Sequence, residues 1–187
     1  MVVLGINGSP RHLGNSHFLM SSFMEEMKKK GHETEVLSAV RLKIHPCTGC
    51  GHCETKGVCI FDDDFTRIFL PAVIKADIIV LSSPVYFYAF PAALKALIDR
   101  IQVLWSRKYR LKLNEFKDRN RKGFLLAAGA TKGKDLFDGL KLTARYFFDA
   151  ADIHYEGDLC YRGMDEKGEM AKHPTVCEDI KRLVEGF

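Results

Sequence analysis

The chain has 187 residues, a length that suits one domain with a sizeable hydrophobic core. It is 47% hydrophobic and 28% charged, with a formal net charge of +4 and interspersed acids and bases. That balance singles out no nucleic-acid tract, and no run approaches the ~20 apolar residues of a membrane span, so neither partner is expected.

The elements follow in chain order. Residues 2–7 form a short apolar run that ends in Gly8-Ser9, a first strand. Residues 16–30 carry Phe18, Leu19, Phe23, Met24 and Met27 at helical spacing, with Ser16 as the expected cap and Gly31 as the stop. Residues 33–37 alternate and read as a second strand. A cysteine-rich loop follows at 45–61. Asp62, Asp63 and Asp64 suit the first turn of a helix that carries Phe65, Ile68, Phe69 and Val73. Residues 77–82 hold Ile-Ile-Val-Leu, a strand buried on both faces.

A loop with sequence SPVYFYAFP comes next, and Pro91 opens a helix with Leu94, Leu97, Ile98, Ile101 and Leu104. Residues 123–128 make a further apolar strand, 136–150 an amphipathic helix, 153–161 a last strand and 176–184 a last helix. Strands alternating with helices predict an α/β fold, a parallel sheet covered on both faces. The polar stretch 114–122 is a loop and does not divide the chain, so residues 1–187 read as one domain. The most basic stretch, 107–122, reads as a solvated helix end and loop.

In such sheets ligands bind beyond the carboxyl ends of the strands, at the switch point. Three loops should converge there. The first, Gly8 to Ser16, offers a helix N-terminus, the hydroxyls of Ser9 and Ser16, the Asn15 amide and the Arg11 charge to an anion. Its spacing is neither that of an NTP-binding loop nor G-x-G-x-x-G. The second, Ser82 to Tyr88, brings aromatic residues that either face a planar ring or pack into the core. The third, Gly129 to Lys134, has small residues that let a ligand approach the backbone, as an ordinary turn also would.

Cys47, Cys50, Cys53 and Cys59 place four of the six cysteines within thirteen residues, as C-x2-C-x2-C-x5-C. Four thiolates on one short loop suit a [4Fe–4S] cluster, and clustered C-x2-C-x2-C runs are its usual mark. Structural zinc more often uses two separated knuckles. A redox disulfide between Cys50 and Cys53 and an inert reduced loop are further readings. Cys160 and Cys177 are isolated and read as buried or incidental. His45 and His52 flank the loop and read as hydrogen-bonding or surface residues. The N-terminus lacks the charged start of a secretory signal. Six cysteines without such a signal point to a reducing cytoplasm.

Five motifs occur in one order: Gly8-Ser9-Pro10-Arg11 with Gly14-Asn15-Ser16, Cys59-Ile60-Phe61-Asp62-Asp63, Ala76-Asp77, Ser83-Pro84-Val85-Tyr86-Phe87 and Leu94-Lys95-Ala96-Leu97-Ile98-Asp99-Arg100. This set, over residues 1–134, resembles the NADPH-dependent FMN reductase-like flavoproteins, and within them the iron–sulfur flavoproteins. The resemblance implies a flavodoxin-like, doubly wound five-stranded parallel sheet in the order 2-1-3-4-5, FMN as cofactor, and a homodimer or homotetramer. It implies that Ser9, Arg11, Asn15 and Ser16 hold the FMN phosphate. Pro84, Val85, Tyr86 and Phe87 would lie along the ring and ribityl chain, and Gly129, Ala130, Thr131 and Lys132 would border its far side. Cys47, Cys50, Cys53 and Cys59 match the cluster ligands.

The expected activity is that of an FMN-dependent oxidoreductase that passes electrons between FMN and the cluster. NAD(P)H is a possible donor, and the partners are small-molecule or protein electron donors and acceptors. No protein acid or base is assigned. The alternatives are a cluster-free NAD(P)H:flavin or quinone reductase, and a redox or metal sensor that uses the cysteine loop as a switch.

Overall fold

Successive residues of a strand point to opposite faces of the sheet, and in the three central strands both faces are buried. In the computed structural model, which describes residues 1–113 and 115–187, Val3, Ile78, Val80, Phe124 and Leu126 fill one core layer. Their neighbours Leu4, Ile6, Ile79, Leu81, Leu125 and Ala127 fill the other. These runs could not sit at a water-facing surface, so the sheet carries helices on both sides.

The sheet consists of β1 (Val2–Asn7), β2 (Glu33–Ser38), β3 (Ile78–Pro84), β4 (Lys122–Gly129) and β5 (His154–Arg162). All neighbouring pairs are parallel and the order is β2-β1-β3-β4-β5. This is the flavodoxin-like α/β arrangement that the motif set implies. Helix α1 (Asn15–Lys29) packs Leu19, Met20, Phe23, Met24 and Met27 against the first layer, together with α7 (Val176–Leu183).

The second layer is covered by α3 (Leu70–Lys75), α4 (Ala92–Arg100), α5 (Gln102–Trp105) and α6 (Asp138–Ala150). A short α2 (His52–Lys56) lies inside the cysteine loop, where no helical periodicity marks it. The chain after β1 leaves toward one face and the chain after β3 toward the other, which opens a crevice between their ends.

The helix expected after Asp62 begins with a wide π-type turn, Phe65–Phe69, before α3. The three aspartates do not serve its dipole alone. Asp62 pairs with Arg67 at 2.7 Å, Asp64 accepts the Lys43 N–H at 2.7 Å, and Asp63 turns inward to Arg100. A second π-type turn, Ser106–Arg110, extends the helical segment of α4 and α5.

Within the basic stretch 107–122, Arg110, Lys112 and Lys117 are exposed, while Arg107 pairs with Glu115, Lys108 with Asp149 and Asp152, and Arg119 with Asp77. Arg121 is buried against the carbonyls of Val73, Ala76 and Ala151, and burial beside Arg119 pulls its pKa down to about 10. Within the loop expected at 114–122, Asn114 lies outside the described residues, and Phe116 is buried beneath the Arg121 guanidinium.

Candidate functional site

The loop after β1 runs over the crevice and into α1. Gly14 occupies the N-cap position, and no side chain caps the helix. Ser16, the cap expected from sequence, lies inside the first turn and is buried, and its carbonyl accepts the Ser82 hydroxyl at 2.7 Å. The N–H groups of this turn therefore lack a side-chain acceptor, and the positive end of the α1 dipole is open to an anion.

Ser9, Arg11, Asn15, Ser16, Pro84, Val85, Tyr86, Gly129 and Ala130 line one small cavity of about 80 Å³. The loops after β1, β3 and β4 thus meet as the topology predicts. Phe87, Thr131 and Lys132 are not on its wall. Thr131 accepts the Gly163 N–H at 3.2 Å, Lys132 lies beside Gly163, and Phe87 stands at an exposed hairpin tip.

A fourth loop also reaches the cavity. Met164 and Asp165, just after β5, line it, and the Met164 N–H donates to the Gly129 carbonyl at 3.0 Å. Arg11 donates to the Asp165 carbonyl at 3.0 Å and lies 4.0 Å from its carboxylate. The Asn15 amide bonds the Glu166 carbonyl and the Met170 N–H. Sequence reasoning missed this segment. Its available signal was Gly163, a left-handed residue directly after the last strand, followed by two acids that complement Arg11.

Tyr86 and Ala89 exchange two backbone hydrogen bonds at 3.0 Å, closing a two-residue turn over Phe87 and Tyr88. Both turn residues have positive φ, 49° and 60°, the geometry of a type I′ turn that favours Asn and Gly. Two aromatic residues there store backbone strain, a mark of functional segments. Phe87 is fully exposed and Tyr86 and Tyr88 are half exposed, so none of the three is plain core packing. The Tyr88 carbonyl rests on α6 at Gly139, where a Cβ would stand 2.1 Å from it.

Cys47, Cys50, Cys53 and Cys59 line a second cavity of about 400 Å³, walled also by Phe61, Arg100 and Val103. Helix α2 sits between two left-handed glycines, Gly51 and Gly57, which fold the loop back so that all four cysteines border one cavity. All four are free; Cys47 and Cys50 are exposed, and Cys53 and Cys59 are half-buried.

The Arg100 guanidinium donates to the Cys59 sulfur at 3.2 Å and pairs with Asp63 at 2.6 Å. Burial raises the Asp63 pKa, but Arg100 and the N–H groups of His45 and Phe65 outweigh it and hold the carboxyl below its ordinary value. His45 stacks on Phe61, with ring centroids 5.2 Å apart. Among the described residues no three His, Cys, Asp or Glu side chains come together as they would around a single metal ion. Cys177, expected to be buried or incidental, is exposed, whereas Cys160 is half-buried.

Residues 1–140 match the NADPH-dependent FMN reductase family. An iron–sulfur flavoprotein of Methanosarcina thermophila is 32% identical over 98% of this chain and 93% of its own length. Another from Methanocaldococcus jannaschii is 39% identical over 71% of this chain, and the match spans 64% of that relative. Among solved structures, an NAD(P)H:quinone oxidoreductase from Methanothermobacter marburgensis superposes with a TM-score of 0.62 at 16% identity, covering 100% of this chain and 96% of that one. An uncapped helix at the switch-point crevice, the ordered motifs and these matches agree: the chain belongs to the NADPH-dependent FMN reductase family.

Proposed function

We propose that the protein is an FMN-dependent oxidoreductase that passes electrons between FMN in the switch-point crevice and a [4Fe–4S] cluster on the cysteine loop. The observation that carries this reading is that four free cysteines of one loop line a single cavity in a chain of the FMN reductase family. FMN, when bound, accepts electrons in pairs and releases them singly, and the chain supplies binding, orientation and electrostatics. Ser9, Arg11, Ser16 and the open N–H groups of α1 would hold the phosphate. Asn15 would act by tying the loop after β5 across the cavity.

Pro84, Val85, Tyr86 and Phe87 would run along the ring and ribityl chain, and Gly129, Ala130, Thr131 and Lys132 would border the ring. We read residues 1–187 as one domain that carries both sites.

The thiol set fits the cluster by its chemistry. All four donors are soft sulfurs, which iron–sulfur centres prefer, and Arg100 offsets the negative charge that four thiolates would gather. A cubane is wider than an ion, so its ligands need not converge on a single-ion position. The names of the iron–sulfur flavoprotein relatives support the same reading. NAD(P)H is the proposed electron donor on the strength of the family match. Six free thiols suit a reducing compartment, which favours the cytoplasm.

We also propose a homo-oligomer. The apolar side chains of the helix from Pro91 are mostly absorbed by the core, through Leu94, Leu97, Val103 and Leu104. The exposed apolar surface lies beside it: Leu142 and Tyr146 on α6, at 55% and 66% exposure, flank a groove with Trp105 and Tyr109. Sedimentation at micromolar concentration tests this, and a monomer alone would contradict it.

The deciding experiment for the redox reading is anaerobic purification and reconstitution, followed by iron, sulfide and FMN analysis and an absorption spectrum. Stoichiometric FMN with about four irons per chain is expected. Full FMN without iron or sulfide would leave a cluster-free flavin or quinone reductase.

A further inference from the structure

Arg100 closes α4 at 2% exposure. Its Nη1 donates to both Asp63 oxygens, at 2.8 and 2.6 Å, and to the His45 carbonyl at 3.2 Å. Its Nη2 donates to the Phe61 carbonyl at 3.3 Å and to the Cys59 sulfur at 3.2 Å. Its flat face covers the Phe65 ring, 4.2 Å from the centroid. One side chain thus ties the entry of the cysteine loop, its exit and one of its sulfurs. Lysine could not reproduce this planar fork.

A guanidinium does not lose its proton, so the Cys59 sulfur must serve as acceptor in this contact. Six residues along the same helical segment, the buried Ser106 hydroxyl is directed at the Cys53 sulfur at 3.5 Å. The two donors reach the two half-buried cysteines, while Cys47 and Cys50 face solvent.

We infer that Arg100 and Ser106 are positioning residues that raise the reduction potential of a centre ligated by the loop cysteines, through hydrogen bonds to Cys59 and Cys53. This rests on the cluster reading above. One-electron reduction of such a centre makes it more negative and breaks no ligand bond. A donor to a ligand sulfur stabilises the reduced form more than the oxidised one, and the potential rises. The donor from Arg100 is charged and buried, so its effect exceeds that of the neutral Ser106 hydroxyl.

The test uses the anaerobically reconstituted protein with FMN bound, titrated with dithionite and followed by EPR for the cluster and by absorption for the flavin. Arg100→Lys keeps a positive charge for Asp63 but removes Nη2. At the wild-type cluster midpoint its cluster should be about tenfold more oxidised, a fall of about 59 mV for one electron. Ser106→Ala should shift the same way by less, and the FMN potential should stay put in both.

Iron-loaded variants with the wild-type cluster potential would overturn the inference. Wild-type protein without iron or sulfide would instead overturn the cluster reading, before any variant is made. If Arg100→Lys keeps FMN and its melting transition but loads no iron, Ser106→Ala decides in its place. If Arg100→Lys does not fold, Ser106→Ala decides, and an unmoved potential there sinks the idea.

Discussion

Asn15 donates its side-chain amide to the carbonyl of Glu166 at 3.0 Å, across a separation of 151 residues. The same side chain accepts the Met170 N–H at 3.1 Å, so the first residue of α1 holds the segment after β5 against the crevice. Asn15→Ala should lose both bonds and about 1–3 kcal/mol of stability. Faster hydrogen exchange over residues 163–173 together with weaker FMN binding is the expected pattern. Unchanged exchange in that segment would show that the tie is dispensable.

Arg11 should matter through charge. Its guanidinium borders the cavity beside the open end of α1, and its present partner, Asp165, is itself exposed. A charge-assisted bond to phosphate contributes ~1.5–3 kcal/mol, so Arg11→Ala should weaken FMN binding roughly tenfold or more. Flavin fluorescence titration reads the loss directly. Wild-type affinity would move the phosphate elsewhere.

Phe87 is fully exposed at φ 49°, a conformation that glycine adopts without penalty. Phe87→Gly should stabilise the flavin-free protein by about 0.5–1 kcal/mol, after the extra entropy of glycine in the unfolded chain is allowed for. On the proposal that Phe87 lies along the bound ring, the variant should also weaken flavin binding. Urea unfolding without FMN and titration with it separate the two effects. A destabilised variant would mean that the turn is not strained.

The pH dependence has a defined sign at Asp77. Burial raises its pKa, but the Arg119 guanidinium at 2.7 Å and the Val2 N–H outweigh it and leave the carboxyl below its ordinary 3.8. A depressed folded pKa stabilises the fold fully above the unfolded value, and this is lost as pH falls through the folded one. Both partners are about a third exposed, so the effect is screened to about 1 kcal/mol or less. Asp77→Asn should melt lower than wild type at pH 7, with the gap closing as pH falls below 3.8. A constant gap down to pH 2 would contradict the linkage.

Cys160 should be chemically silent. Burial, with the negative charge of Asp158 beside it, pushes its thiol up to about 12. Iodoacetamide at neutral pH should label Cys47, Cys50 and Cys177 in cluster-free protein and spare Cys160, as peptide mass spectrometry can show. Cys160→Ser should leave the iron content unchanged.

The strands and the long helices were readable from the chain because their cause is local. Runs such as Ile78 to Leu81, apolar at every position, have few stable places other than a doubly covered sheet, and the 3.6-residue spacing of Leu19, Phe23 and Met27 is a helix face. The cysteine spacing and the phosphate-type loop were legible for the same reason, since each is a short motif whose chemistry lies in its own residues.

What tertiary structure decided is where side chains find partners far along the chain. Asp63 looked like a helix-dipole acid and is the counter-ion of Arg100, 37 positions away. Ser16 looked like a cap and is buried under Ser82, while Asn15, besides lining the crevice, fastens the loop after β5. A buried charge or amide must be paired, and which group pairs it depends on the packing of β-strands and helices in space. Local pattern carries no record of that choice. The same reason hid α2, whose five residues are held between Gly51 and Gly57 by the fold of the loop around the thiols and not by any helical periodicity of their own.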